Sequence, residues 1–422
     1  MAYRVSRQAA GSGGRWHDGR VDLVSVDDIQ AAQKLLAGVI RTTPVEHSRV
    51  LRSRVGGAAY LKCENLQRTG SFKLRGGYTR IARMTPAERA RGVVAASAGN
   101  HAQGVALAAS LLGAASTVYM PVTAPLPKIA ATRAYGAEVR LTGSTVDEAL
   151  VAAVAHAAES GSVFIHPFDH PDVIAGQGTV GLEILEQCPD ARTVLVPAGG
   201  GGLVSGIGVA IKAARPDISV IAVQAEGAAA FPGSLAAGHP LALDAMATMA
   251  DGIAVGCPGL VTFDHVRSVV DDVVCVSEVA LSRALLLCLE RAKLVVEPAG
   301  VAAVAAILEE PRRFPAPVVA VLSGGNIDPV LLMRVIQHGM IAASRYLKVR
   351  VRVPDRPGEL ARLLRLLAEA GANVLDVEHS RTGAKLNLGE VEVALSMETR
   401  GDGHSDDLVA ALRQAGHSLT FG

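Results

Sequence analysis

Apolar positions along this chain follow two rhythms, and the change between them falls near residue 345. From about residue 21 to 341, short apolar runs alternate with longer amphipathic stretches. The runs at 92–96, 116–120, 138–141, 193–197, 219–224 and 318–322 predict strands. The stretches at 102–112 and 146–158 repeat their apolar residues with a helical period. A parallel strand pair needs a crossover, and here the crossovers carry helical patterns. Strand then helix, repeated, therefore predicts an α/β fold with a largely parallel sheet.

Beyond residue 345 the pattern shortens. Leu347, Val349, Val351 and Val353 alternate with Lys348, Arg350 and Arg352, as a half-buried strand requires. Asp355, Arg356, Pro357 and Gly358 turn the chain. Leu360, Leu363, Leu364 and Leu367 then share one helical face, and Gly371 is placed to end that helix. Strands are predicted at 374–378 and 390–398, a helix at 406–415, and a short last strand. This βαββαβ order is that of a small ferredoxin-like domain. The reading divides the chain into a polar, aperiodic leader at 1–20, a main domain at 21–341 with a smaller subdomain inserted at about 92–165, and a C-terminal domain at 346–422.

Composition narrows the field of partners. Of the 422 residues 50% are hydrophobic, and 41 Lys and Arg stand against 40 Asp and Glu. No basic excess points to nucleic acid or a membrane surface. The longest apolar stretch, 105–120, is interrupted by Ser110, Gly113 and Ser116, too short and mixed to span a bilayer. No apolar signal segment is visible at the N-terminus, which predicts a soluble cytoplasmic protein. Cys63, Cys188, Cys257, Cys275 and Cys288 are scattered, as reduced structural thiols would be.

Four short motifs carry candidate chemistry. Lys73 lies between Phe72 and Leu74, with Gly70, Gly76 and Gly77 nearby. Most lysines are solvated surface charges, but one in apolar surroundings becomes a usable amine nucleophile and base, able to form an imine with an aldehyde cofactor. Ser97, Ala98, Gly99, Asn100 and His101 follow a predicted strand and open a helix. Such a turn can present N–H groups to a carboxylate, or be an ordinary capped turn. Gly199, Gly200, Gly201 and Gly202, with Leu203, form a loop whose amides can crowd around an anion. A dinucleotide GxGxxG does not fit, because the last position falls on Val204 or Ser205. Ser323, Gly324, Gly325 and Asn326 end a strand, a weak signal alone.

Taken in order, these motifs resemble the fold-type II pyridoxal-phosphate enzymes, and within them the serine/threonine dehydratases. Ser71, Phe72, Lys73, Leu74, Arg75 and Gly76 reproduce that family's cofactor-lysine motif without a mismatch, and the resemblance runs from about residue 30 to 340. It implies two parallel-sheet α/β subdomains and pyridoxal 5′-phosphate bound to Lys73. It further implies that Ser97–His101 hold the substrate carboxylate, that Asn100 meets the cofactor's 3′-oxygen, and that the tetraglycine loop and Leu203 hold its phosphate. Ser323 would face the pyridine nitrogen. Two further matches, 176–179 and 296–300, are placed near the cofactor.

The activity so implied is dehydration and deamination of L-threonine to 2-oxobutanoate and ammonia, a precursor step for isoleucine, with L-serine giving pyruvate. A serine dehydratase and a degradative threonine dehydratase share these motifs. A racemase needs a second acid/base on the opposite face, which racemase-type members supply as a serine; Ala98 stands there instead. No metal site is expected, since Gln224 and Ala225 precede a lone Glu226 where cation-binding members carry several acids. His101, His166 and His170 are not needed as bases beside Lys73. The C-terminal domain resembles an ACT module, which implies an amino-acid effector, branched-chain by its context, near Arg356, Pro357, Gly358 and Glu359. A pure assembly module is the alternative, and a homodimer or homotetramer is expected.

Overall fold

The computed structural model describes residues 16–17, 20–21, 23–381 and 386–421. Most of the predicted leader lies outside these residues; within it, Trp16–His17 pairs antiparallel with Arg20–Val21. The chain divides into two compact units, Met1–Leu332 and Met333–Gly422, and the division falls inside helix Pro329–Ala342.

The first unit carries two sheets. The larger runs in the order Asp272–Val276, Ser219–Ala225, Thr193–Pro197, Val318–Leu322, Ala59–Cys63 and Val45–His47. Its first five strands are parallel and only Val45–His47 is antiparallel. Thr193–Pro197 and Val318–Leu322 are buried at every position, as central strands covered on both faces must be. The smaller sheet, ordered Glu138–Leu141, Ser116–Met120, Val93–Ala96 and Val163–Phe164, is wholly parallel. It is inserted between Ala59–Cys63 and Thr193–Pro197 of the larger one.

The apolar runs mark these strands closely. The run at 92–96 yields strand only from Val93, because Gly92 sits in a left-handed turn at φ 80°. The helix expected at 102–112 begins earlier, at Asn100. Predicted strands and turns thereby bring three glycine-bearing segments (after Ala96, Pro197 and Leu322) to the carboxyl ends of parallel strands, where ligands of open α/β sheets bind.

The second unit is a four-stranded antiparallel sheet in the order Asn373–Ser380, Glu390–Glu398, Tyr346–Pro354 and Ser418–Phe421, with helices Glu359–Glu369 and Asp402–Gln414. Val349, Val351, Val353, Leu363, Leu367, Val391, Val393, Leu395, Met397, Leu408 and Leu412 make its core, the apolar side of each alternating pattern. The chain order is βαββαβ. Its last helix starts four residues ahead of the predicted 406, because the polar first turn carries no apolar signal.

Candidate active site

Lys73 is the first residue of helix Lys73–Ala82, and its placement is fixed from both sides. Ahead of it, Ser71 bridges Gly324, and the Phe72 N–H donates to the Ser323 carbonyl at 3.3 Å. On the far side, Gly104 of helix Asn100–Leu111 comes so near that a Cβ there would lie 3.0 Å from the Lys73 carbonyl carbon. The Lys73 Nζ donates to the Pro167 carbonyl at 2.9 Å and lies 5.1 Å from the Phe72 ring centroid. Burial pulls this amine down to about 8, against the opposing pull of Glu297. A larger share is neutral near pH 7 than for a surface lysine, which makes the amine a better nucleophile.

Two residues further on, Arg75 points into the core and is fully buried. Its Nε and Nη2 grip the Glu64 carboxylate at 2.8 and 2.7 Å, while Nη1 reaches Glu183 at 2.6 Å and the Thr179 hydroxyl at 3.0 Å. Lys62 completes the cluster through Glu183, the Thr43 carbonyl and Gln187. Burial alone would raise the Glu64 carboxyl, but the Arg75 guanidinium, Lys62 and the Thr43 hydroxyl together outweigh burial and hold it below the ordinary carboxylate range. The stretch 176–179 packs against Arg75 and Gly76, with the Thr179 hydroxyl on the Arg75 guanidinium.

The turn after Val93–Ala96 holds Ser97, whose Oγ accepts from the Gly99 N–H at 3.1 Å. Asn100 opens the next helix. Its Nδ2 donates to Glu297 Oε1 at 2.6 Å, and its Oδ1 accepts from Asn326 Nδ2 at 2.8 Å. The 97–101, 296–300 and 323–326 segments are therefore joined side chain to side chain. Glu297 was the least explained of these in sequence. Burial first, then the Asp251 carboxylate, push it up to about 7, with Lys128, Asn100 and Lys73 acting the other way. His101 ties its Nε2 to the Ile165 carbonyl at 2.8 Å, and burial draws it down to about 3, so the ring is neutral. His166 accepts the Phe168 and Asp169 N–H groups through Nδ1.

The tetraglycine loop joins Thr193–Pro197 to helix Gly202–Ala214, with Gly201 at φ 93°. A Cβ on Gly200 would drive into the Phe168 ring, so only glycine leaves this loop its path. Phe168 directly follows Pro167, the residue holding the Lys73 amine. Lysine and loop therefore flank one segment. Leu203 and Ser323 are both buried, at 4% exposure each.

This donor set fits an aldehyde cofactor with a phosphate: a part-desolvated amine, a loop of glycine amides at a helix N-terminus without acidic side chains, and a buried hydroxyl at a neighbouring strand end. Sequence reasoning did not find Lys128, whose Nζ donates to Asp251 Oδ2 at 3.0 Å. Nor did it pair Arg75 with Glu64 and Glu183. Among the described residues, no group of three or more His, Cys, Asp or Glu is placed to hold a metal ion, and no helix is long and apolar enough to cross a membrane.

In the second unit, Arg356, Pro357 and Gly358 lie exposed at the turn after Tyr346–Pro354, with Gly358 at φ 91°. Of the four proposed effector residues only Glu359 lines the unit's groove of about 720 Å³, beside Arg352, Arg362, Arg365 and His417.

Comparison with known proteins agrees with this geometry. Residues 36–324 match the family described as pyridoxal-phosphate dependent enzyme, and residues 348–417 match the ACT domain. An L-threonine ammonia-lyase of Thermotoga maritima is 46% identical over 397 residues, covering 94% of this chain and 99% of the relative. Among solved structures, a threonine deaminase from T.th. superposes with a TM-score of 0.69 at 44% identity, covering 72% of this chain and 99% of its own. Maize serine racemase superposes with a TM-score of 0.71 at 35% identity, covering 74% and 97%.

Proposed function

The chain belongs to the pyridoxal-phosphate dependent enzymes, and on that premise we propose that it converts L-threonine to 2-oxobutanoate and ammonia. The observation that carries this reading is the meeting of the part-buried Lys73 amine, the tetraglycine loop and the 97–101 turn around one segment, 165–169. The bound cofactor supplies an aldehyde for the substrate amine and a conjugated ring that takes up the electrons of the Cα–H bond. The chain's own residues do the rest. N–H groups of the tetraglycine loop and of Leu203 would hold the phosphate. The Ser323 hydroxyl would meet the ring nitrogen without the charge an aspartate would bring, and the Asn100 amide, oriented by Glu297 and Asn326, would meet the 3′-oxygen. The 97–101 turn holds the substrate carboxylate. With the cofactor and substrate bound, Lys73 Nζ would be the base placed to take the α-proton, and the β-hydroxyl would leave as water after taking up a proton.

Serine racemase similarity makes racemisation the competing reading. Ala98 favours elimination, because a methyl group cannot return a proton to the opposite face of Cα. The ACT domain supports control by an amino acid, with isoleucine or valine as the ligand if the enzyme opens isoleucine synthesis, through the turn at Arg356, Pro357, Gly358 and Glu359. A cytoplasmic homodimer or homotetramer completes the reading. The test is a product assay on L-threonine and L-serine, with and without branched-chain amino acids. Equal 2-oxobutanoate and ammonia from threonine, and pyruvate without D-serine from serine, are expected. Faster release of D-serine than pyruvate would reverse the assignment.

A further inference from the structure

Lys128 stands in the first turn of helix Leu126–Ala134, beyond the strand Ser116–Met120 of the smaller sheet. Its partner, Asp251, opens the short turn Asp251–Ile253, which belongs to the part of the chain carrying the larger sheet. An exposed lysine normally reaches out to water and covers its partner. Here the order is reversed: the Lys128 side chain is 11% exposed and the Asp251 side chain 58%. The Lys128 side chain is largely covered, and its ammonium stands beside the 97–101 turn. Apart from chain neighbours, Lys128 Nζ is the one heavy atom within 4 Å of the place a Cβ on Gly99 would occupy, at 3.6 Å. The residue after Asp251 is just as close to the site, since a Cβ on Gly252 would lie 3.7 Å from Glu297 Oε1.

The 97–101 turn offers neutral donors only: backbone N–H groups, the Ser97 hydroxyl and the Asn100 amide. A substrate carboxylate entering it keeps its charge, and a buried charge needs a counter-charge as well as hydrogen bonds. Lys73 is reserved for the α-proton and is not a fixed counter-charge for the carboxylate. We propose that Lys128 is the cation that fixes the substrate carboxylate at Gly99, held ready by Asp251; this rests on the reading of 97–101 as the carboxylate turn. An ammonium has three N–H donors, so it can keep Asp251 and bind the carboxylate together. Lys128 is then a recognition residue, and substrates lacking the carboxylate lose its contribution.

The test uses the full-length, cofactor-loaded protein and two probes that cannot eliminate: L-2-aminobutanoate, which is threonine without its hydroxyl, and the corresponding amide. Binding is read from the change in the cofactor's visible absorption. Lys128→Met should weaken 2-aminobutanoate by about 10- to 150-fold, the worth of a charge-assisted hydrogen bond, and leave the amide within about twofold. Lys128→Arg should recover most of the loss, and KM for L-threonine should rise in Lys128→Met much more than kcat falls. Should Lys128→Met lose its cofactor, Lys128→Gln carries the same comparison. Equal weakening of both probes, or of neither, overturns the role of Lys128. Wild-type protein that binds acid and amide alike overturns the carboxylate turn itself.

Discussion

Replacing Arg75 by methionine removes one cation from a buried cluster that is balanced as it stands, Lys62 and Arg75 against Glu64 and Glu183. Arg75 and Glu64 side chains are both 0% exposed, so water cannot take over the lost contacts. Methionine fills much of the volume and leaves Glu64 without its bidentate partner. Breaking a buried pair from one side costs about 3–5 kcal/mol. At roughly 1–2 °C per kcal/mol for a unit of this length, the melting temperature of the first unit should fall by about 3–10 °C. The pH dependence has a defined sign. Arg75 holds the Glu64 carboxyl below its ordinary value, so the stabilisation is present above the unfolded-state pKa and lost as pH falls through the folded one. The gap between wild type and Arg75→Met should therefore narrow toward acid pH, because the buried Glu64 of the variant, without its guanidinium, takes a proton before the wild-type carboxyl does. Scanning calorimetry between pH 7 and about 4 measures both effects. A variant melting within about 2 °C of wild type at pH 7 would refute the reasoning.

Gly200→Asp places a side chain against the Phe168 ring and a negative charge where a phosphate should sit; cofactor affinity should fall at least about 100-fold by titration. Cofactor capture by the cofactor-free protein should quicken as pH rises through about 8, where the Lys73 amine loses its proton, and level off above; a rate flat from about pH 6 to 9 would argue against a nucleophilic Lys73. Ala98→Ser introduces the hydroxyl that racemisation would need as its second acid, and chiral chromatography should then detect D-serine from L-serine that the parent does not form.

Much of the first unit was readable because buried parallel strands are near-continuous apolar runs bounded by glycine, and those glycines are also the ligand loops. The C-terminal unit was readable for the opposite reason: its sheet has one wet face, so Val349, Val351 and Val353 alternate cleanly with Lys348, Arg350 and Arg352. What escaped depends on distance along the chain. Arg75 was visible as a motif residue, but its partners Glu64 and Glu183 lie 11 and 108 residues away. Lys128 and Asp251, 123 residues apart, carry no pattern that sets them off from surface charges. Glu297 lay in a noted motif, yet only the folded site shows its carboxyl on Asn100. Spacing reports local periodicity, and these contacts have none.

The central claim is that Lys73 is both the anchor of the cofactor and the base for the α-proton. Lys73→Ala, purified and supplied with pyridoxal phosphate, measures it directly through the visible absorption of the bound cofactor and the release of 2-oxobutanoate from L-threonine. The account predicts an unchanged far-ultraviolet circular dichroism spectrum, loss of the lysine-bound cofactor band, and turnover reduced by at least about 1,000-fold, since base and anchor are lost together. Retention of that band with near-normal turnover would contradict it.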